Sequence, residues 1–239
     1  MMRKKLKFIL SLFFFSVTVS FWPGNLQTIE ANNNKETEQE DQAICFSWAF
    51  GVLKKNDEGR QLMPVKDKVD LKSGDKFKML LGLQKEGYLY LIHQGSQGEI
   101  SLLFPYDLKK LGTIYEPGIW YFIPAWDAWF ILDQNPGIET FYLLASTRRL
   151  SGLEDLIKKY EATPIKEREH LAKQILSRIH ELQRQNRQLK SVAERPVPIL
   201  GSVRGVYETR NQLIKDLTSI AVEISAKNFF SRTFTIVHK

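Results

Sequence analysis

Ile44-Cys45-Phe46-Ser47-Trp48-Ala49-Phe50-Gly51-Val52 decides the fold. Successive side chains of a strand point to opposite faces, so Ile44, Phe46, Trp48, Phe50 and Val52 share one face and Cys45, Ser47, Ala49 and Gly51 the other. Such alternation of large and small predicts a strand with one face on a core. Outward from it, Phe77, Met79, Leu81 and Leu83 alternate with Lys76, Lys78 and Gln84. Tyr88 to Ile92 is continuously apolar, as a strand covered on both faces would be. Ile100–Phe104, Ile119–Ile123, Ala128–Leu132 and Ile138–Ser146 add further strands. Ser73-Gly74, Glu86-Gly87, Pro117-Gly118 and Asn135-Pro136-Gly137 punctuate them as turns. Strands about ten residues apart, joined by Gly/Pro turns, predict an antiparallel β-sandwich or barrel-like domain rather than βαβ units.

The pattern then changes period. Ser151 is placed to cap a helix over Gly152–Tyr160, with Glu154 completing a capping box. Thr163-Pro164 opens a longer helix to Lys190, with proline in its first position. Its apolar stripe is Ile165, Leu171, Ile175, Ile179 and Leu182, with Leu176 at the edge. This stripe should dock on the β-domain, and the last third of the helix should project. Arg195-Pro196-Val197-Pro198 breaks the helix, and Val203–Ile224 fits either helix or strand. Thr233-Phe234-Thr235-Ile236-Val237 predicts a short final strand that returns to the sheet. The expected class is therefore mainly β (α+β), with a helical insertion before the final strand.

Residues 1–31 read as a signal peptide. Arg3, Lys4, Lys5 and Lys7 precede an uncharged run from Phe8 to Trp22. As a helix that run spans about 22 Å, short of a hydrocarbon core of roughly 30 Å. A periplasmic or secreted protein is expected, with a membrane anchor as the alternative. Residues 32–42 hold one basic and four acidic side chains and read as a disordered acidic linker. The remaining organisation is a β-sandwich domain over 43–150, a helical insertion over 151–200 and a C-terminal segment, 201–239, returning to the β-domain. Charge is uneven across these parts: residues 43–150 carry 13 basic and 12 acidic side chains, and residues 151–239 carry 16 and 10.

Several stretches together resemble a bacterial family catalogued as domain of unknown function 4384. They are Leu71-Lys72-Ser73-Gly74-Asp75, Gly87-Tyr88-Leu89-Tyr90-Leu91, Leu102-Leu103-Phe104-Pro105, Phe122-Ile123-Pro124 and Pro136-Gly137-Ile138-Glu139, with Thr233 to His238 as the terminal strand. The resemblance covers roughly residues 43–150 and the last dozen. It implies an exported β-rich domain, often one module of larger envelope or signalling proteins, and no established activity. In the motif, Gly74 supplies a positive φ for a tight turn and Asp75 bonds nearby amides. Glu139 is expected to pair with a basic side chain across the sheet.

No nucleophile or metal constellation is visible. The single cysteine, Cys45, falls on the small-residue face of a strand and reads as a structural thiol. His93 reads as a hydrogen-bonded core or edge histidine, and His170 and His180 form no His-Glu-x-x-His motif. Asp127 and Asp133 bracket an aromatic strand without a spacing that fixes glycosidase geometry. No cofactor is expected. Two binding surfaces stand out instead. One is the aromatic cluster around Trp126 and Trp129. The other is the basic helix end with Arg184, Arg187 and Lys190, since residues 164–190 hold seven basic and three acidic side chains. An exported protein does not meet nucleic acid, so an envelope protein, anionic lipid or cell-wall polymer is the expected partner. The expected function is a non-enzymatic binding or assembly module of the bacterial envelope. The alternative is a hydrolase acting on envelope polymers, marked by a pocket gathering Asp127, Asp133 and His93.

Overall fold

A computed structural model describes residues 43–56, 59–125, 127–187, 193–196 and 216–239. In chain order its elements are β1 (Ala43–Asn56), β2 (Gly59–Pro64), β3 (Lys68–Leu71), β4 (Lys76–Leu83), β5 (Tyr88–Gln94), β6 (Ile100–Phe104), β7 (Trp120–Ile123), β8 (Phe130–Ile131) and β9 (Gly137–Ser146). Helices α1 (Ser151–Ala162) and α2 (Glu169–Asn186) follow, then β10 (Ala193–Pro196), β11 (Val222–Lys227) and β12 (Phe229–His238). One sheet runs β10-β11-β1-β4-β7, with β2 also on β1 and β8 also on β4. The other runs β3-β12-β9-β5-β6. The two face each other as a sandwich, not a closed barrel.

The alternation in β1 explains this arrangement. Its large residues, Ile44, Phe46, Trp48, Phe50 and Val52, meet Phe77, Met79 and Leu81 of β4 and Phe234 and Ile236 of β12 in the core between the sheets. Phe50 touches Phe77, Phe141 and Phe234 with ring centroids 5.4–5.8 Å apart. Its small residues face outward, where Ala49 and Leu80 pack on Leu217 and Ala221. Gly51 permits that cover: a Cβ there would meet Leu62 at 2.7 Å and Leu217 at 2.8 Å. The turn before β4 forms as expected. Gly74 has φ +85°, and the Asp75 carboxylate accepts from the Lys72 amide at 2.9 Å.

The expected final strand is longer than its β-branched tail, and it sits inside its sheet. β12 pairs antiparallel with β9 along its whole length, from Phe229↔Ser146 to His238↔Gly137. Its other edge takes β3 in parallel. On β12, Arg232 lies on the inner side with Phe230 and Phe234. Its guanidinium covers the Trp48 ring at 5.0 Å and reaches Asp67 at 3.0 Å and Glu194.

Helices cover part of the outer face of the second sheet. Leu153, Ile157 and Tyr160 of α1 and Leu171, Ile175, Ile179 and Leu182 of α2 pack on Tyr90, Ile92, Tyr142 and Leu144. Several expectations fail here for identifiable reasons. Ser151 does not cap α1, because Leu150 occupies that position without a side-chain bond. Glu154 is fully buried instead, and accepts from the Tyr90 hydroxyl and the Arg149 guanidinium, each at 2.7 Å. Thr163-Pro164 opens only a 3-10 turn, Ile165–Glu167, before α2 begins at Glu169. That offset leaves Ile165 82% exposed and outside the stripe. Arg195 and Pro196 lie on an edge strand paired with β11, the position in a sheet where proline is tolerated. Of the ambiguous stretch Val203–Ile224, residues 203–215 lie outside the described ones, and its end starts β11. Among the described residues, no helix is long and apolar enough to cross a membrane.

Candidate functional site

The aromatic face is built on β4 and β7. Alternation sends Tyr121 and Ile123 inward to the core, and Phe122 packs outward against Leu80 and Leu217. Trp120 shares that outer face and stands opposite Gly82 in register. A Cβ at Gly82 would come within 2.7 Å of the indole, so the glycine is what lets the ring lie against the strand. Beside it is a lysine with no exposed surface. The Lys78 ammonium donates to the Ala128 carbonyl at 2.5 Å and lies 5.7 Å from the Phe122 ring and 5.8 Å from that of Trp129. Ring faces and a carbonyl together offset its desolvation. The strand expected over Ala128–Leu132 shortens to Phe130–Ile131, paired with Lys76 and Phe77 of β4. Trp120 remains 38% exposed, and Trp129 and Phe122 are half-buried. Trp126 lies outside the described residues.

The basic surface is elsewhere. Arg184 is in the last turn of α2 and Arg187 follows the helix as its C-cap. Both are exposed, and neither forms an ion pair among the described residues. Basic residues earlier on the helix are paired, Lys173 with Glu169 and Arg178 with Glu181 at 2.7 Å each. Lys190 lies outside the described residues. Because α2 covers one sheet and Trp129 packs on the outside of the other, the structure does not bring Arg184 and Arg187 together with Trp129.

The polar residues weighed for catalysis occupy separate settings. His93 stacks on Phe141 at 4.7 Å and its Nε2 is 2.6 Å from Glu139. This is the basic partner across the sheet that Glu139 was expected to find. Asp133 accepts from the Asn135 amide and side chain, which hold its carboxyl below the usual range. Asp127 is exposed on a turn. Sequence reasoning missed Ser73 and His238, whose Oγ and Nε2 are 3.0 Å apart. Only the parallel pairing of β3 with β12 brings those ends of the chain together. Cys45 is half-buried, with Sγ 3.6 Å from the Ser225 hydroxyl. Among the described residues, no three His, Cys, Asp or Glu side chains gather as a metal site.

Three phenols cluster around Phe104 at ring distances of 4.8–5.1 Å. Tyr115 and Tyr121 pack on Phe104 and on each other at 4.8–5.2 Å, and Tyr106 donates to the Phe122 carbonyl at 2.8 Å. Burial pushes the Tyr106 phenol up to about 12, and raises those of Tyr115 and Tyr90 further. The folded state thus favours neutral phenols, whereas the unfolded chain ionises at 10.0. Their contribution is complete below pH 10 and declines as pH rises above it. In an alkaline titration, most tyrosinate absorbance should therefore appear together with loss of far-ultraviolet dichroism. Full tyrosinate absorbance with the dichroism intact would contradict this burial.

Residues 70–149 match a family model described as domain of unknown function (DUF4384). This bears out the resemblance read from the motifs, over a segment running from β3 to just before α1. β1 and β12, which complete the two sheets, fall outside the match. No curated protein and no solved structure matches the chain.

Proposed function

We propose that this protein is an exported, non-enzymatic binding module of the bacterial cell envelope, and that the aromatic face of its first sheet is a contact surface. The observation that carries this reading is Trp120, a large apolar ring laid on Gly82 and still 38% exposed. An indole held in this way loses little freedom when a partner covers it, which is why such rings recur at the energetic centres of interfaces. Phe122 and Trp129 extend the same apolar surface around Lys78. Export is supported by the basic and apolar run at residues 3–22.

The test is capture of the tagged full-length chain with its partners from its native envelope, alongside the Trp120→Ala/Trp129→Ala variant. Loss of the exposed Trp120 ring should weaken a contact by about 2 kcal/mol or more, and loss of Trp129 should add to it, enough to remove the captured partner from the variant sample. Trp120 is at the surface, so its loss should shift the thermal midpoint little, whereas Trp129 also covers the Lys78 ammonium and its loss should lower the midpoint modestly without unfolding the domain. A variant that captures the same partners as the parent would reject this face as the contact.

A further inference from the structure

The helices leave half of the second sheet's outer face uncovered. β-Strand register places four polar side chains in one row across that half. Gln94 on β5 is opposite Thr140 on β9, Thr140 is opposite Thr235 on β12, and Thr235 is beside Lys68 on β3. All four belong to the outward set, because their neighbours Phe141, Phe234, Ile236 and Leu71 are in the inter-sheet core. Neighbouring strands lie about 4.8 Å apart, so the row spans about 14 Å.

The row offers donors. The Gln94 carbonyl oxygen accepts from the Tyr142 hydroxyl at 3.0 Å, which leaves the amide N–H groups to face a ligand. Two hydroxyls and an ammonium complete the series. The charge around it is positive. Arg184 and Arg187 lie at the end of α2, which the Gln183–Thr233 hydrogen bond holds over β12. Asp70, a carboxylate on the same face of β3, is paired with Lys239, which holds it below the usual carboxylate range. We infer that this shelf binds a linear, hydroxyl-rich polyanion, a polyol chain carrying phosphate charges. An extended chain fits better than a lipid surface. α2 rises about 10 Å above the sheet beside the row and would hold a flat bilayer away from it.

The probe is poly(glycerol phosphate), titrated onto the full-length protein, with neutral dextran and anionic phospholipid vesicles as comparators. The parent should bind the polyanion, bind dextran far less, and lose affinity steeply as ionic strength rises past about 0.1 M. Thr140→Val/Thr235→Val keeps the β-branched shape and removes both hydroxyls, and should cost about tenfold in affinity at an unchanged thermal midpoint. Lys68→Gln should cost a similar factor and flatten the salt dependence. Trp120→Ala/Trp129→Ala should bind the polyanion as the parent does, which separates this shelf from the aromatic face. A parent that fails to bind, or a valine pair that binds as well as the parent, overturns the inference. Vesicles that compete equally with the polymer overturn the choice of an extended chain.

Discussion

Deleting residues 229–239 should leave a chain that does not fold. A terminal segment is ordinarily the most expendable part of a domain. β12 differs because both of its edges are paired, to β9 and to β3. Its removal splits the second sheet and exposes a bare edge along β9. It also strips Phe229, Phe230, Phe234 and Ile236 from the core. At about 1.5–3 kcal/mol each, these four side chains amount to about 6–12 kcal/mol, comparable to the whole stability of an ordinary domain. The milder Phe234→Ala, which removes a ring touching both Trp48 and Phe50, should cost about 3–5 kcal/mol in urea unfolding. A truncated chain with the parent's thermal midpoint would refute the role given to β12.

Glu154→Ala should be the most damaging single change in the helical layer. The carboxylate has no exposed surface, and it is the acceptor for both Tyr90 and Arg149. Arg149 is half exposed and can rehydrate, whereas the buried Tyr90 hydroxyl loses its acceptor. Breaking a buried charged network from one side costs about 3 kcal/mol. The diagnostic is the partner change. Adding Tyr90→Phe to Glu154→Ala removes the stranded hydroxyl, so the double variant should be more stable than the sum of the two single losses implies. Strict additivity would mean that the two groups do not act as a unit.

What the sequence revealed and concealed follows from the range of each interaction. β1 was legible because one of its faces is large and the other small, a contrast that survives without knowledge of partners. The inward Tyr121 and outward Trp120 of β7 follow from the same parity. β3 and β10 were missed because four-residue edge strands have almost no periodicity, and Pro196 argues against a strand except at an edge. Ser151 and Glu154 stand at the spacing of a capping box, yet Tyr90, remote in sequence, captures the carboxylate. Local pattern cannot report such a contact. Lys78 reads as a solvent-facing residue of an alternating strand, and only the folded chain supplies the rings and the Ala128 carbonyl that bury it. The Gln94–Thr140–Thr235–Lys68 row lies beyond sequence reading for the same reason, since it exists only once four strands are in register.

The central structural claim is that the chain crosses its helical layer and returns to complete the second sheet from the inside. Native-state amide hydrogen exchange on the intact protein tests it most directly. Amides of Phe230 to Ile236 should exchange as slowly as those of Phe141 to Ala145 on β9, because both strands open only when the domain unfolds. Fast exchange along β12 beside a protected β9 would show a terminus that merely lies against the sheet, and would contradict the account.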